Sequence, residues 1–172
     1  MRWQRFLIIM ILAALLNTGN LLNGVSVGSL NIRPDLPVIL LVFFAINCPM
    51  PQALVVSFVI GFVADIPQPV VGPYIISLTL LGAIISHMSK VVITKKMLHQ
   101  GLIILVTGLV AGALAEGLTF LKIRETTSNL YLVLLGTAVY SAIIGPFVWL
   151  GLSAISDWLG IRKNRYRRSA NR

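Results

Sequence analysis

The sequence predicts an all-α integral membrane protein with six transmembrane helices and both ends of the chain on the cytoplasmic side. Three observations carry that prediction. Of 172 residues, 57% are hydrophobic and 11% charged, and the mean hydropathy is +0.91; a soluble domain of this length could not enclose so much apolar surface in one core. The apolar residues fall into six runs separated by polar or proline-bearing connections. Lysine and arginine favour alternate connections, as basic residues do when they collect on the cytoplasmic face.

A helix that crosses about 30 Å of hydrocarbon needs roughly 20 residues, and fewer where polar side chains snorkel at its ends. The first run, Phe6 to Leu22, follows Met-Arg-Trp-Gln-Arg and resembles a signal peptide. After Leu16, however, come Asn17, Thr18, Gly19 and Asn20 rather than a small-x-small cleavage site, so the run is read as an uncleaved span. Asn23 to Arg33 is polar and glycine-rich and reads as an outer-surface loop. The second and third runs, Leu36 to Cys48 and Gln52 to Ile66, are short, because about 13 residues of helix rise only about 20 Å. They are read as two short spans rather than a re-entrant hairpin, since the Asn47-to-Gln52 connection carries proline turn signals and no charge. Tyr74 to Ser89 and Leu102 to Leu121 are the fourth and fifth spans. The sixth, Leu130 to Ile155, contains Gly145-Pro146, which predicts a kink. Residues 1–160 thus form one six-helix domain and residues 161–172 a basic cytoplasmic tail.

Loop charge sets the orientation. One side collects Arg2, Arg5, Lys90, Lys95, Lys96, Arg162, Lys163, Arg165, Arg167, Arg168 and Arg172, and the other only Arg33, Lys122 and Arg124. Eleven against three places both termini inside. The net charge of +9 does not point to nucleic acid, because six of the fourteen basic residues lie between Arg162 and Arg172 and no solvated basic groove with interleaved aromatics is visible. The tail residues Arg162, Lys163, Arg165, Arg167 and Arg168 read as a topology determinant and as candidate contacts for anionic lipid headgroups.

Catalytic patterns are absent from the sequence. There is no P-loop, HExxH or GxSxG, and the topology places no histidine with Asp65. No enzymatic activity, metal or cofactor is therefore expected. Cys48 has no partner cysteine and reads as a small buried residue. His87 and His99 stand among Lys90, Lys95 and Lys96 without carboxylate or thiolate neighbours, so they read as interfacial anchors, as does Asp157 beside Trp158.

Two stripes carry the candidate functional residues. Ala53, Ser57, Gly61 and Asp65 are spaced four apart and so share one helix face. Small residues there permit close approach of helices in lipid, and the polar ones offer interhelical contacts. Gly108, Gly112 and Glu116 repeat the device, Gly112-Ala-Leu-Ala-Glu116 paralleling Gly61-Phe-Val-Ala-Asp65. Both helices run from inside to outside, so both carboxylates are expected near the outer face. Two readings remain open at this point: a polar cluster that packs helices or binds a partner or ligand, and a carboxylate at headgroup level. Asp35, after Arg33-Pro34, reads as a helix start, with its carboxylate complementing the positive end of the helix dipole.

Arg33-Pro-Asp-Leu-Pro-Val-Ile-Leu-Leu-Val-Phe-Phe-Ala45, then Gly61-Phe-Val-Ala-Asp65, then Gly72 and Gly82, resemble the bacterial rod-shape-determining MreD family. The likeness covers roughly residues 30 to 90, about a third of the chain. Ile66-Pro-Gln-Pro69 departs from the more apolar or glycine-containing turn of that family. The resemblance implies a non-enzymatic scaffold subunit of the cell-elongation machinery in the bacterial inner membrane. Its partner would be MreC, linking it to a peptidoglycan-synthesising complex of RodA and a class B penicillin-binding protein, with MreB on the cytoplasmic side. The resemblance marks Pro34, Asp35, Gly61, Asp65 and Gly72 as packing or partner residues. The family is also similar in fold to the substrate-binding subunits of energy-coupling-factor vitamin transporters, which supply a rival reading. Those subunits typically dock through an alanine-x-x-x-alanine face on the first helix; here Ala13 is followed at that spacing by Asn17, and Ala14 by Thr18. Tyr74 is the best aromatic candidate for a ligand pocket beside Asp65 and Glu116.

Overall fold

The computed structural model describes residues 3–18, 33–68, 70–88, 97–123, 130–156 and 158–160. The tail residues Arg162, Lys163, Arg165, Arg167 and Arg168, the lysines at 90, 95 and 96, Asp157 and the loop 19–32 lie outside them. Among the described residues all regular structure is helical: α1 (Trp3–Thr18), α2 (Leu36–Asn47), α3 (Met50–Asp65), α4 (Pro73–Met88), α5 (Met97–Ile123) and α6 (Leu130–Ala154).

Proline sets the boundaries of the middle helices. Pro37, Pro51 and Pro73 stand in the first turns of α2, α3 and α4, where a missing N–H costs nothing and the fixed φ suits helix entry. Cys48, which precedes Pro49, is extended at φ −101° and ψ 152°, as a residue before proline must be, and α2 ends there. These stops shorten α2 and α3. Within the described residues α1 to α4 have 12 to 16 residues each and rise about 18 to 24 Å, whereas α5 and α6, at 27 and 25 residues, rise about 40 Å. The expectation of six spanning helices is narrowed accordingly. Six helices form among the described residues, and two of them are long and apolar enough to cross a membrane.

The shortest helix lies at the centre. Every residue of α2 from Pro37 to Ala45 is buried, and α2 touches each of the other five helices. A helix apolar on all faces has no side to offer water, and burial all round is the arrangement that satisfies it. Two antiparallel pairs flank it. On one side, Gly61 of α3 meets Tyr74 and Ile75 of α4, and Ser57 meets Gly82; on the other, Gly101 of α5 meets Ala142 of α6, and Gly112 meets Leu134. Helix α6 continues through Pro146 as one helix. Pro146 has no N–H for the Ala142 carbonyl, and Gly101 brings the α5 backbone against that oxygen; a Cβ at Gly101 would lie 3.0 Å from it.

Aromatic rings tie α1 into one end of the bundle. Trp3, Phe6, Phe44, Phe43 and Trp149 form a chain of edge-to-face contacts with centroids 6.0, 5.3, 5.4 and 5.1 Å apart, a favoured arrangement for aromatic quadrupoles. At the same end the Arg5 guanidinium stacks on Trp158, 4.6 Å above the ring, and donates to the Trp158 carbonyl. The start of α1 and the turn after α6 therefore share one end. Outward faces are apolar on helix after helix: Leu7, Ile11 and Leu15 on α1, Phe58 and Phe62 on α3, Leu80 and Ile84 on α4, Leu102 and Val106 on α5, and Ile143 and Phe147 on α6 are all exposed. Surface of that extent marks a face meant for an apolar surround.

Candidate functional site

Asp65 is the last residue of α3, and its side chain is fully buried. Its carboxylate accepts three backbone N–H groups from the chain ahead of it: Oδ2 from Gly72 at 2.9 Å and from Ile75 at 2.9 Å, and Oδ1 from Tyr74 at 3.1 Å. Pro73, the first residue of α4, has no N–H, so Tyr74 and Ile75 carry the first donors of the helix, which lack intrahelical acceptors. A carboxylate from the end of one helix thus caps the start of the next, where the dipole favours negative charge. The intervening turn is shaped to permit this. Gly72 adopts φ +122°, a backbone conformation open to glycine and strained for other residues, and the Lys122 ammonium of α5 donates to the Val71 carbonyl at 3.0 Å.

The rest of the first stripe faces the same way. Ala53, Ser57 and Gly61 are buried, and the Ser57 hydroxyl donates to the Ala53 carbonyl at 2.7 Å. A Cβ built at Gly61 would lie 2.7 Å from the Ile75 Cα and 3.0 Å from the Tyr74 carbonyl oxygen, while one at Gly82 would lie 1.9 Å from the Ser57 Oγ. Both glycines are required by backbone or side-chain approach at the α3–α4 seam. Of the two readings open in the sequence, helix packing is the one this geometry supports. Asp65 does not sit at a solvated surface, and both its oxygens are engaged within the chain.

The second stripe does something different. Gly108, Gly112 and Glu116 line a pocket of about 90 Å³ together with Asp35, Tyr74, Val133, Leu134, Thr137 and Ala138. Gly112 approaches a side chain, Leu134 Cδ1, rather than a backbone, and Gly108 lies at ordinary contact distance from Ala138. The glycines of both stripes thus lie at a helix seam, α3–α4 for the first and α5–α6 for the second, and differ in how closely the partner backbone comes. Asp35 caps α2, its Oδ1 accepting from the Val38 N–H at 3.2 Å, as its place before the helix suggests. Its own N–H donates to Ser141 Oγ at 2.7 Å, and that hydroxyl donates to the Thr137 carbonyl at 2.7 Å. Ser141 lies midway along α6, so α2 begins within the bundle rather than at its end, beside buried Pro34.

Tyr74 joins the stripes: its backbone N–H binds Asp65, and its residue lines the pocket with Asp35 and Glu116. His87 and His99 are exposed, and Cys48 is buried. Among the described residues no three metal-ligating side chains converge. Ser141, Gly101 and the bond from Lys122 to the α3–α4 turn escape sequence reasoning. Only the i, i+4 pair Thr137 and Ser141, polar positions in an apolar helix, hints at the first. The chain matches no family model, no curated protein and no solved structure.

Proposed function

We propose that this chain is a non-enzymatic, multi-span scaffold subunit of the bacterial inner membrane, of the MreD kind, which binds MreC and thereby positions the cell-elongation machinery. The observation that carries the reading is the job done by the residues behind the resemblance. Asp35 caps the central helix, Gly61 and Gly82 stand where α3 and α4 come together, and Asp65 and Gly72 fix the turn between those helices. A motif whose members all hold helices together, with none presented to a reacting group, suits a scaffold better than a catalyst.

The membrane location, with six alternating segments and both termini cytoplasmic, is part of this proposal. It is supported by the two long apolar helices, by the apolar outer faces of α1 and α3 to α6, and by the shared end of α1 and Trp158. In lipid a short helix such as α3 would depend on flanking polar residues and local thinning to bridge the core, with α2 enclosed among the others. The same frame would place RodA and the class B penicillin-binding protein in contact through MreC, and MreB beneath the inner face.

The rival, a vitamin-binding transporter subunit, is disfavoured by size. The pocket at Asp35, Tyr74 and Glu116 measures about 90 Å³, whereas small-molecule sites are typically about 300–1,000 Å³. Depletion of the protein in its host separates the two readings: the scaffold predicts rounded cells and recovery of MreC with the tagged protein. Cells that keep their rod shape, with no MreC recovered, would refute it, and a vitamin bound to the purified protein would establish the rival.

A further inference from the structure

We infer that the end of the bundle built by Trp3, Arg5 and Trp158 is a binding site for the phosphate of an anionic phospholipid. The inference rests on the membrane location proposed above and goes beyond it by naming a lipid class and the side chains that select it. Arg5 is half-buried. Its guanidinium is held from two directions, by the face of Trp158 at 4.6 Å and by the Trp158 carbonyl. That carbonyl accepts from one terminal nitrogen, whereas a guanidinium carries five N–H donors in a rigid fork. The stacking fixes the plane of the fork, and among the described residues its other donors meet no further partner; they suit a phosphate in charge and shape.

The neighbours suit a lipid rather than a free ion. Trp3 and Trp158 are each nearly half exposed, and Leu7 and Ile8 continue the apolar surface from Arg5 along α1. Amphipathic indoles beside an apolar wall are the arrangement found at headgroup level. The turn after α6 is built to hold Trp158 in place. Leu159 is fully buried, and Gly160 adopts φ +69°. The charge balance agrees: Asp35, Asp65 and Glu116 all belong to the capping sites and pocket described above, the first turn of α1 holds no acid, and Asp157 is the one acidic residue next to this end in sequence, against Arg2, Arg5 and the tail. The three side chains of the site belong to the described bundle, whereas Arg162 to Arg168 lie outside the described residues.

The test uses the full-length protein in neutral detergent, titrated with short-chain phosphatidylglycerol, with phosphatidylcholine of the same chain length and with inorganic phosphate, reading tryptophan emission and thermal melting. Phosphatidylglycerol is expected to shift both signals, and the other two to leave them near the lipid-free values. Arg5→Gln should weaken phosphatidylglycerol binding about tenfold, the loss of one charge-assisted contact, and Arg5→Lys, which keeps the charge without the fork, should weaken it less. A variant with Arg162, Lys163, Arg165, Arg167 and Arg168 changed to glutamine should retain the Arg5-dependent preference. Equal response to the two lipids, an equal shift with inorganic phosphate, unchanged binding by Arg5→Gln, or complete loss in the tail variant would each overturn the inference. Should Arg5→Gln fail to fold, Arg5→Lys decides, because a lysine variant that binds as the parent does excludes recognition by the fork. A chain that remains soluble without detergent would refute the membrane location instead, a separate outcome.

Discussion

Replacing Asp65 by alanine tests the main structural claim, that one buried carboxylate joins α3 to α4. The substitution removes the acceptor for three N–H groups, those of Gly72, Tyr74 and Ile75, at 2.9, 3.1 and 2.9 Å. A hydrogen bond to a charged group contributes about 1.5–3 kcal/mol, and a buried donor left without a partner loses its hydration as well. The three bonds share one side chain and are not additive, and the neighbouring turn gives water a route to some of the donors, so we expect a loss of about 3–5 kcal/mol. For a chain of this size about 1 kcal/mol corresponds to 2–4 °C, which puts the fall in melting temperature at roughly 6–20 °C. Asp65→Asn should lie between the two: its one carbonyl oxygen can serve either Tyr74 or the Gly72–Ile75 pair, and its amide then faces donors with a donor. Thermal melting of the detergent-solubilised protein, followed by a helical signal, gives the order Asp, then Asn, then Ala. An alanine variant that melts with the parent would show that α4 starts without the cap and would refute the argument.

The glycines offer a graded series. Gly61→Ala should destabilise strongly because its Cβ meets the Ile75 backbone at 2.7 Å, with Gly61→Leu worse, whereas Gly117→Ala meets nothing within 4 Å and should be neutral or stabilise by up to about 1 kcal/mol through helix propensity. Melting temperatures of the three variants check that order. Ser141→Ala removes the acceptor for the Asp35 N–H at 2.7 Å and should cost about 1–2 kcal/mol, with Ser141→Thr recovering part of it, read by the same melts. Under the scaffold proposal, Asp65→Ala should also lower MreC recovery, and Glu116→Gln, which changes a pocket residue engaged in none of the caps, should leave melting within about 0.5 kcal/mol of the parent; co-purification beside melting separates the two effects.

Helix positions were legible in the sequence because proline and the apolar runs mark them. Pro37, Pro51 and Pro73 each open a helix, and the observed bounds of α2 to α4 lie within two residues of the predicted ones. The stripe at Ala53, Ser57, Gly61 and Asp65 was legible for the same local reason, a period of four on one face. What it packs against was not, because nothing in α3 names α4 as its neighbour. Asp65 left two readings open, packing or headgroup level, since its partners lie seven to ten residues ahead, across a turn whose path depends on Gly72 at φ +122° and on Lys122 from a distant helix. The likeness of Gly112-Ala-Leu-Ala-Glu116 to Gly61-Phe-Val-Ala-Asp65 left the partner open for a related reason. Equal spacing guarantees an equal face, but whether that face meets a backbone, as at Ile75, or a movable side chain, as at Leu134, is decided by the partner helix. The most informative local signal was the uniform apolarity of Leu36 to Ile46. A helix apolar on every side needs apolar neighbours all round, and the enclosed placement of α2 brings Asp35 against the middle of α6 and forms the pocket.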